Sequence, residues 1–220
     1  MQDLTSGCTA LSAVEKAIST LENSPATNAG YGSSLNSAGD VECDASIMYS
    51  KNHHFGSTKN CDRPEDTVGA VCLDTYGDVA AGCSTGGPEY RVPGRVSHAS
   101  VFGAGSWAEE GPQATVAVST SGMGEQLLTC SLARKNAEFC FRRGFRDFNA
   151  EAESEFICSE FIGSKFSNSC PYKLGGSLVL MKDSEENDAK IVWGHCTKSM
   201  LIAYISSSMV EPTVVFWSHL

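Results

Sequence analysis

Apolar residues near the start of the chain recur every three or four positions. They are Leu11, Val14, Ala17, Ile18 and Leu21. This spacing predicts an amphipathic helix over residues 10–21, which Pro25 prevents from continuing. Alternation of apolar and polar residues over 40–48 predicts a strand. The stretch that follows is polar and shows neither the helical spacing nor the alternation of a strand. We therefore expect an exposed linker at about residues 49–66.

The pattern of residues changes at residue 67, from a polar stretch to short runs of small and β-branched residues. Residues 67–73 and 79–84 are short runs of small and β-branched residues, and the stretch between them has the composition of a turn. These two runs predict a β-hairpin. Later patterns predict helices around residues 98–109 and 124–135, a strand over 114–119, and paired strands over 176–181 and 190–193. The expected fold class is therefore mixed α/β with antiparallel pairing.

The composition is that of a single globular domain covering residues 1–220. The chain is 41% hydrophobic and contains 21 glycines, within the ordinary range for compact domains. Its formal net charge of -10 argues against nucleic acid as a partner, because phosphate binding needs clustered cationic charge. No run of about 18 apolar residues is present, so we expect no membrane-spanning helix.

Ten cysteines are scattered along the chain without regular spacing. No apolar leader follows Met1, so we expect mostly reduced thiols in a cytoplasmic or nuclear protein rather than a secreted one. Metal binding is the alternative. However, the chain has no C-x-x-C pair, and its His53–His54 and His195–Cys196 doublets do not match the spacing of tetrahedral sites. We therefore expect neither a metal nor another cofactor.

Thr67 stands where the expected linker meets the hairpin. Cleavage of the Asp66–Thr67 bond would divide the chain into residues 1–66 and 67–220 and make this threonine N-terminal. An N-terminal threonine carries its own general base, because an α-amino group has a pKa of about 7.7–8.0. Taken alone, the segment is more typical of an ordinary β-branched strand residue than of a nucleophile.

Three later segments hold residues suited to amide hydrolysis. Thr85 ends the second strand of the hairpin, so its hydroxyl is expected beside that of Thr67. Arg95 follows a Pro-Gly turn, where a guanidinium can hold a carboxylate through two hydrogen bonds, although it is also typical of a surface arginine. Ser121 and Gly122 lie where a strand leads into a helix, so their backbone N–H groups can stabilise an oxyanion or simply begin the helix.

Six segments, in the same order, resemble the type-2 asparaginase family of N-terminal-nucleophile hydrolases. They are Asn28-Ala29-Gly30-x-Gly32-Ser33, Glu42-Cys43-Asp44-Ala45-Ser46-Ile47-Met48, Thr67-Val68-Gly69-Ala70-Val71, Ser84-Thr85-Gly86-Gly87, Pro93-Gly94-Arg95-Val96 and Ser119-Thr120-Ser121-Gly122-x-Gly124-Glu125. The resemblance implies an αββα four-layer sandwich, with two sheets between helical layers. It also implies a mature homodimer of two-chain units.

The resemblance assigns a role to each candidate residue. Thr67 is the implied nucleophile and base, and Thr85 supports it. Arg95 is implied to hold a carboxylate of the substrate. The backbone of Ser121 and Gly122 is implied to form the oxyanion hole. Asn28 is implied to shape the loop beside the nucleophile.

Two positions favour the threonine-aspartase branch of that family. Asparaginases mature at a Gly–Thr bond, whereas Asp66 precedes Thr67 here, so the chain's own junction resembles a substrate. His98 lies three residues after Arg95. At this position asparaginases typically have an aspartate that binds the free α-amine of the substrate. We therefore expect a self-activated threonine-type endopeptidase that cleaves protein substrates after aspartate.

Two other functions stay open. One is an asparaginase or isoaspartyl peptidase that acts on small substrates. The other is a shortened paralogue or splice form without catalysis, because the family's first core strand and further pieces before the cleavage site are not recognisable in the sequence. Loss of a central strand would expose a sheet edge and leave apolar faces uncovered.

Overall fold

A computed structural model describes residue 4 and residues 6–60, 67–165, 172–186 and 188–218. The helices are α1 (Ala10–Glu22), α2 (Gly124–Cys130), α3 (Leu132–Arg143) and α4 (Ala150–Phe156), and a π-helix over Ile157–Ile162 continues the last of them. The strands are β1 (Cys43–Tyr49), β2 (His54–Asn60), β3 (Val68–Leu73), β4 (Val79–Thr85), β5 (Ser106–Glu110), β6 (Ala114–Gly122), β7 (Gly175–Asp183), β8 (Ala189–His195), β9 (Ser199–Tyr204) and β10 (Thr213–Ser218).

The strands form two four-stranded sheets in which every pairing is antiparallel. Their orders are β2-β1-β4-β3 and β5-β6-β7-β8, and β9 and β10 form a separate hairpin. The two sheets pack face to face through β3, β4 and β6. Helix α1 covers the outer face of the first sheet, while α3 and α4 cover the second. The four layers confirm the predicted αββα sandwich.

Side-chain alternation along β3 explains how one strand contributes to two cores. Val68, Ala70 and Cys72 pack with α1, whereas Val71 and Leu73 join the larger core around the second sheet. Successive residues of a strand point to opposite faces, so both sides of this small-residue strand are used. The antiparallel register places the start of β3 beside the end of β4, where the site lies.

Most of the predicted elements are confirmed. The helix over residues 10–21, the hairpin of β3 and β4, the strand β6 and the pair β7–β8 are all present. The helix predicted over residues 124–135 is instead two helices, α2 and α3, because Ser131 between them has a left-handed backbone with φ of 48°.

Two predicted elements are wrong. Residues 98–109, predicted as a helix, form a short 3-10 turn at His98–Ser100 followed by β5. Gly103 lies between them with φ of 80°, a conformation that interrupts a right-handed helix. The linker expected at about residues 49–66 contains β2, which pairs with the whole of β1. As an edge strand with largely exposed side chains, β2 does not need the apolar alternation that identifies a buried strand.

The sheet edge that carries Thr67 at its start is open among the described residues. β3 is the last strand of its sheet and pairs only with β4. The β9–β10 hairpin also presents an apolar face, on which Leu201, Val214 and Phe216 are each about two-thirds exposed.

Glu153 on α4 is a fully buried carboxyl group in the second core. Ser177 donates a hydrogen bond to its Oε1, and Asn136 Nδ2 donates another at 2.8 Å. Its Oε2 is buried with no hydrogen-bond partner among the described residues. Burial raises the pKa of Glu153 to about 7, because the low-dielectric interior disfavours the carboxylate.

We expect Glu153→Gln to remove a pH-dependent loss of stability. The folded-state pKa is raised, so the stabilising contribution of Glu153 is complete below its unfolded pKa of about 4.3 and is lost as the pH rises to about 7. The uncharged glutamine has no such loss. Relative to the variant, the free energy of unfolding of the parent should fall by about 2–4 kcal/mol between pH 4 and pH 8.

Urea unfolding at the two pH values measures this difference. The matched control is Glu138→Gln, which removes an exposed carboxylate from α3 that pairs with Arg134. The control should follow the pH dependence of the parent. Parallel pH profiles for the parent and Glu153→Gln would show that the buried carboxyl does not titrate in this range.

Candidate active site

The register of the β3–β4 hairpin brings the two candidate threonines together. Val68 pairs with Ser84, so Thr67, just before β3, lies beside Thr85 at the end of β4. Thr67 Oγ1 donates a hydrogen bond of 3.1 Å to Thr85 Oγ1. The backbone N–H of Gly87 donates to the same Thr85 oxygen, also at 3.1 Å. The Thr67 hydroxyl is thus oriented by a neighbour that is itself fixed by the backbone.

Asn28 fixes the glycine pair that follows Thr85. Its side-chain N–H donates to the carbonyl of Gly87 at 3.0 Å, and its own carbonyl accepts from the N–H of Gly86 at 2.7 Å. A Cβ on Gly86 would lie 2.5 Å from Asn28 Oδ1, so this position excludes any side chain. The structure therefore places Asn28 at the loop beside the threonine pair, and its role in shaping that loop for a substrate stays a prediction.

The guanidinium of Arg95 lies between two glycines. A Cβ on Gly87 would be 3.2 Å from Arg95 Nη1, and a Cβ on Gly124 would be 2.9 Å from Nη2. Arg95 Nε donates to Glu125 Oε1 at 2.6 Å. Its Nη1 is buried and has no hydrogen-bond partner within the described chain. A buried N–H group without a partner is costly, so this donor has unused hydrogen-bonding capacity, and the binding of a substrate carboxylate by Arg95 stays a prediction.

His98 is buried close to the same place. Only 1% of the residue is exposed, and its ring nitrogens lie 3.2 Å from Ser97 Oγ and 3.4 Å from the carbonyl oxygen of Thr120. Burial lowers the pKa of His98 to about 4, so the ring is neutral at neutral pH. A Cβ on Gly124 would be 3.3 Å from its Nδ1. Its role in substrate binding stays a prediction.

Ser121 and Gly122 end β6, where this strand passes close to the first sheet. Ser119, on the same face of β6 as Ser121, donates to the carbonyl of Gly82 at 2.9 Å and lies against Gly69. Gly122 has φ of 142°, and a Cβ on it would lie 2.3 Å from the carbonyl oxygen of Leu174. Only glycine fits this turn into α2. The oxyanion hole formed by the two residues stays a prediction.

Comparison with known proteins agrees with this architecture. A sequence profile of the asparaginase family matches residues 1–65 and 57–214, which together cover most of the chain. The chain belongs to this asparaginase family. It is therefore a member of a family of hydrolases, and the resemblance predicted from six short segments is confirmed at that level.

The similar proteins of this asparaginase family include two mammalian isoaspartyl peptidase/L-asparaginases. The rat protein is 31% identical over 249 residues, covering 83% of this chain and 71% of the rat protein. The mouse protein is 32% identical over 249 residues, covering 83% and 72%. A plant-type L-asparaginase of Pyrobaculum calidifontis is 38% identical over 96 residues, covering 44% of this chain and 31% of its own length.

The aligned stretch of 249 residues exceeds the 220 residues of the whole chain, so the rodent proteins contain internal segments without a counterpart here. This agrees with the expectation that pieces of the family's chain are missing. The names of these relatives support the asparaginase alternative, and the finer assignment to the threonine-aspartase branch is not supported by them. Asp66, on which that assignment partly rests, lies outside the described residues.

Sequence analysis missed a buried charge cluster that holds the Arg95 loop. Arg91 donates to Asp44 at 3.0 Å, to Glu42 at 3.3 Å and to the carbonyl of Gly86 at 3.1 Å. Glu42 in turn accepts from the N–H of Gly94, at 2.9 and 3.0 Å to its two oxygens. The detectable signal was two acidic residues, Glu42 and Asp44, within a predicted strand, because carboxylates that become buried require a cation nearby.

Within the described residues, no helix is long and apolar enough to cross a membrane. Over the same part of the chain, no group of three or more histidine, cysteine, aspartate or glutamate side chains is placed to hold a metal ion.

Proposed function

We propose that the chain is an N-terminal-threonine amidohydrolase that acts on the side-chain amide of small β-aspartyl substrates, such as asparagine and isoaspartyl dipeptides. The observation that carries the proposal is the 3.1 Å contact between Thr67 Oγ1 and Thr85 Oγ1. The Thr85 oxygen also accepts from Gly87, and Gly87 lies against Arg95 Nη1, an atom without a hydrogen-bond partner among the described residues. The named activities of the rat and mouse relatives support the same substrate class.

The proposed mechanism begins with self-cleavage between Asp66 and Thr67. The freed α-amine of Thr67 accepts the proton of its own hydroxyl, and Oγ1 attacks the amide carbon of the substrate. Backbone N–H groups at Ser121 and Gly122 stabilise the oxyanion that forms. The amine or ammonia leaves with the proton, and an ester remains on Thr67. Water then hydrolyses this ester and restores the hydroxyl.

In this mechanism Arg95 fixes the carboxylate that these substrates carry near the reacting amide. Its Nε is already held by Glu125, while Nη1 lies next to Gly87 without a partner among the described residues. A planar guanidinium with a free edge suits a carboxylate through two parallel hydrogen bonds. The substrate is thereby oriented before Thr67 attacks, which is how positioning accelerates amide hydrolysis.

Cleavage of protein substrates after aspartate is the second candidate function. Asp66 before Thr67 favours it, because the bond that would be cut during maturation then has an aspartate on its N-terminal side. His98 favours it too, because a buried neutral ring supplies no anion for the α-amine of a free amino acid. The reaction at Thr67 is the same for both candidate functions. They differ in the substrate that the site binds, so a comparison of turnover on the two substrate classes distinguishes them.

The parent protein should mature into two chains and turn over small substrates faster than internal Asp peptides. Intact-mass spectrometry should detect the products 1–66 and 67–220. Release of ammonia from L-asparagine, and of the free amine from a β-aspartyl dipeptide, is then compared with cleavage of a longer peptide containing an internal Asp–Gly bond. Faster cleavage of the longer peptide would favour the endopeptidase. An uncut chain without any turnover would support the non-catalytic alternative.

We also propose that the mature protein is a homodimer of two-chain units located in the cytoplasm or nucleus. The family resemblance supports the dimer, and the scattered cysteines support the compartment.

A further inference from the structure

The start of helix α1 lies against the turn that follows strand β3. The backbone N–H of Ala10 donates to Asp74 Oδ2 at 2.8 Å, in a buried contact. Three residues earlier, the carbonyl oxygen of Gly7 accepts from the hydroxyl of Tyr76 at 3.4 Å. Cys8 lies between these two contacts in the sequence, so the two hydrogen bonds hold it close to the end of β3.

Cys72, on β3, faces the same helix from below. It lies two residues before Asp74 and packs against the core cluster that contains Ala10 and Val14. Burial raises the pKa of Cys72 to about 11, and the nearby Asp74 and Cys8 side chains raise it further. The thiols of Cys8 and Cys72 therefore lie on the two sides of one contact between α1 and β3.

The hydrogen bonds of these two thiols are weak and local. Cys8 Sγ donates to the carbonyl oxygen of the next residue, Thr9, at 3.5 Å. Cys72 Sγ donates in the same way to the carbonyl oxygen of Leu73 at 3.9 Å. A thiol is a weak donor, so neither contact fixes the sulfur strongly. Both cysteines are partly exposed, which lets a small oxidant reach them.

We propose that Cys8 and Cys72 are a redox modification site, at which a reversible disulfide joins the two chains of the matured protein. Cys8 belongs to residues 1–66 and Cys72 to residues 67–220, so the bond crosses the junction between the chains. Its role as a link between chains rests on the maturation proposed above, whereas the disulfide itself also forms in the uncut chain. The bond keeps α1 attached to the first sheet once the chain is no longer continuous.

The oxidant is a small disulfide of the glutathione type. The Cys8 thiolate attacks one sulfur of glutathione disulfide, breaks its S–S bond and releases one glutathione thiolate. The Cys72 thiolate then attacks the Cys8 sulfur of this mixed disulfide and releases the second glutathione. The protons of the two protein thiols pass through solvent to the two glutathiones, so the protein is oxidised and glutathione disulfide is reduced. An excess of reduced glutathione reverses both steps and keeps the thiols reduced.

Electrophoresis in detergent without a reductant tests the link between the chains. Matured parent that has been treated with glutathione disulfide and then alkylated should migrate at the full-length mass, and dithiothreitol should separate it into 1–66 and 67–220. Cys8→Ser and Cys72→Ser should each separate without a reductant. The matched control is Cys158→Ser, which removes an exposed thiol from the π-helix and should stay linked like the parent. Peptide mapping without reduction should identify Cys8 joined to Cys72.

The uncut Thr67→Ala chain distinguishes failure of this proposal from failure of the proposed function. In this chain the same oxidation should lower the intact mass by about 2 Da, and Cys8→Ser should abolish that change. A bond between Cys8 and Cys72 here, together with a parent that never matures, supports the disulfide and contradicts only the proposed maturation. Matured chains that separate without a reductant overturn the proposal, and so does a bond from Cys8 to any other cysteine.

Discussion

Thr67→Ala is expected to remain a single uncut chain and to lose hydrolysis of small β-aspartyl substrates by at least about a thousandfold. The variant lacks the hydroxyl that donates to Thr85 at 3.1 Å, so it has neither the nucleophile for self-cleavage nor the one for substrate hydrolysis. Without cleavage, the nitrogen of residue 67 stays an amide and cannot act as a base. Intact-mass spectrometry and ammonia release measure the two losses separately.

Two further variants separate loss of the nucleophile from loss of the fold. Thr67→Ser keeps a hydroxyl at the same place and should retain self-cleavage at a reduced rate. Thr20→Ala removes an exposed threonine hydroxyl from α1, where it donates to the backbone carbonyl of Lys16 at 2.7 Å, and should behave as the parent. Turnover by an uncut Thr67→Ala protein would assign the nucleophile to another residue.

The pairing of Thr67 with Thr85 was predictable because it depends on short-range rules. Small and β-branched runs on either side of a turn specify a hairpin, and the hairpin register then places its open ends together. The helix α1 was predictable for a similar reason, since one apolar stripe must face a core. These features each depend on residues that are close in sequence.

The parts that sequence analysis missed depend on contacts between distant residues. β2 is a polar edge strand with largely exposed side chains, so it lacks the apolar alternation of a buried strand. β5 was taken for part of a helix because Gly103, which has φ of 80°, was not recognised as a break. The bond from Arg95 to Glu125 joins residues 30 positions apart, on a loop and a helix that only the fold brings together. No local pattern contains that information.

The choice between the two branches of the family illustrates the same limit. Asp66 and His98 were each interpreted as marks of an aspartyl endopeptidase, Asp66 because it precedes the bond to be cut and His98 because it replaces an amine-binding aspartate. Asp66 lies outside the described residues, and His98 is almost fully buried, with its Nδ1 3.3 Å from the position that a Cβ on Gly124 would occupy. A comparison of the two substrate classes in an activity assay therefore decides between the branches.

Arg95→Lys should raise the KM for L-asparagine by about a hundredfold, with a smaller effect on kcat. The planar guanidinium uses Nε for Glu125 and keeps Nη1 and Nη2 between Gly87 and Gly124. A lysine ammonium is a single point charge, so it cannot bond Glu125 and present a two-point edge to the substrate carboxylate at once. Steady-state kinetics on the matured protein measure the change, which corresponds to about 2–3 kcal/mol of lost binding.

Arg134→Lys is the matched control for this substitution. Arg134 also donates from Nε to a glutamate, Glu138, at 3.0 Å, but both side chains are about half exposed on α3. Exchange of arginine for lysine at an exposed pair changes little, because such pairs contribute about 0–1 kcal/mol. The control should therefore keep the KM of the parent. If Arg95→Lys also keeps it, the substrate carboxylate is bound elsewhere, and the glycines that surround Arg95 must be explained by packing alone.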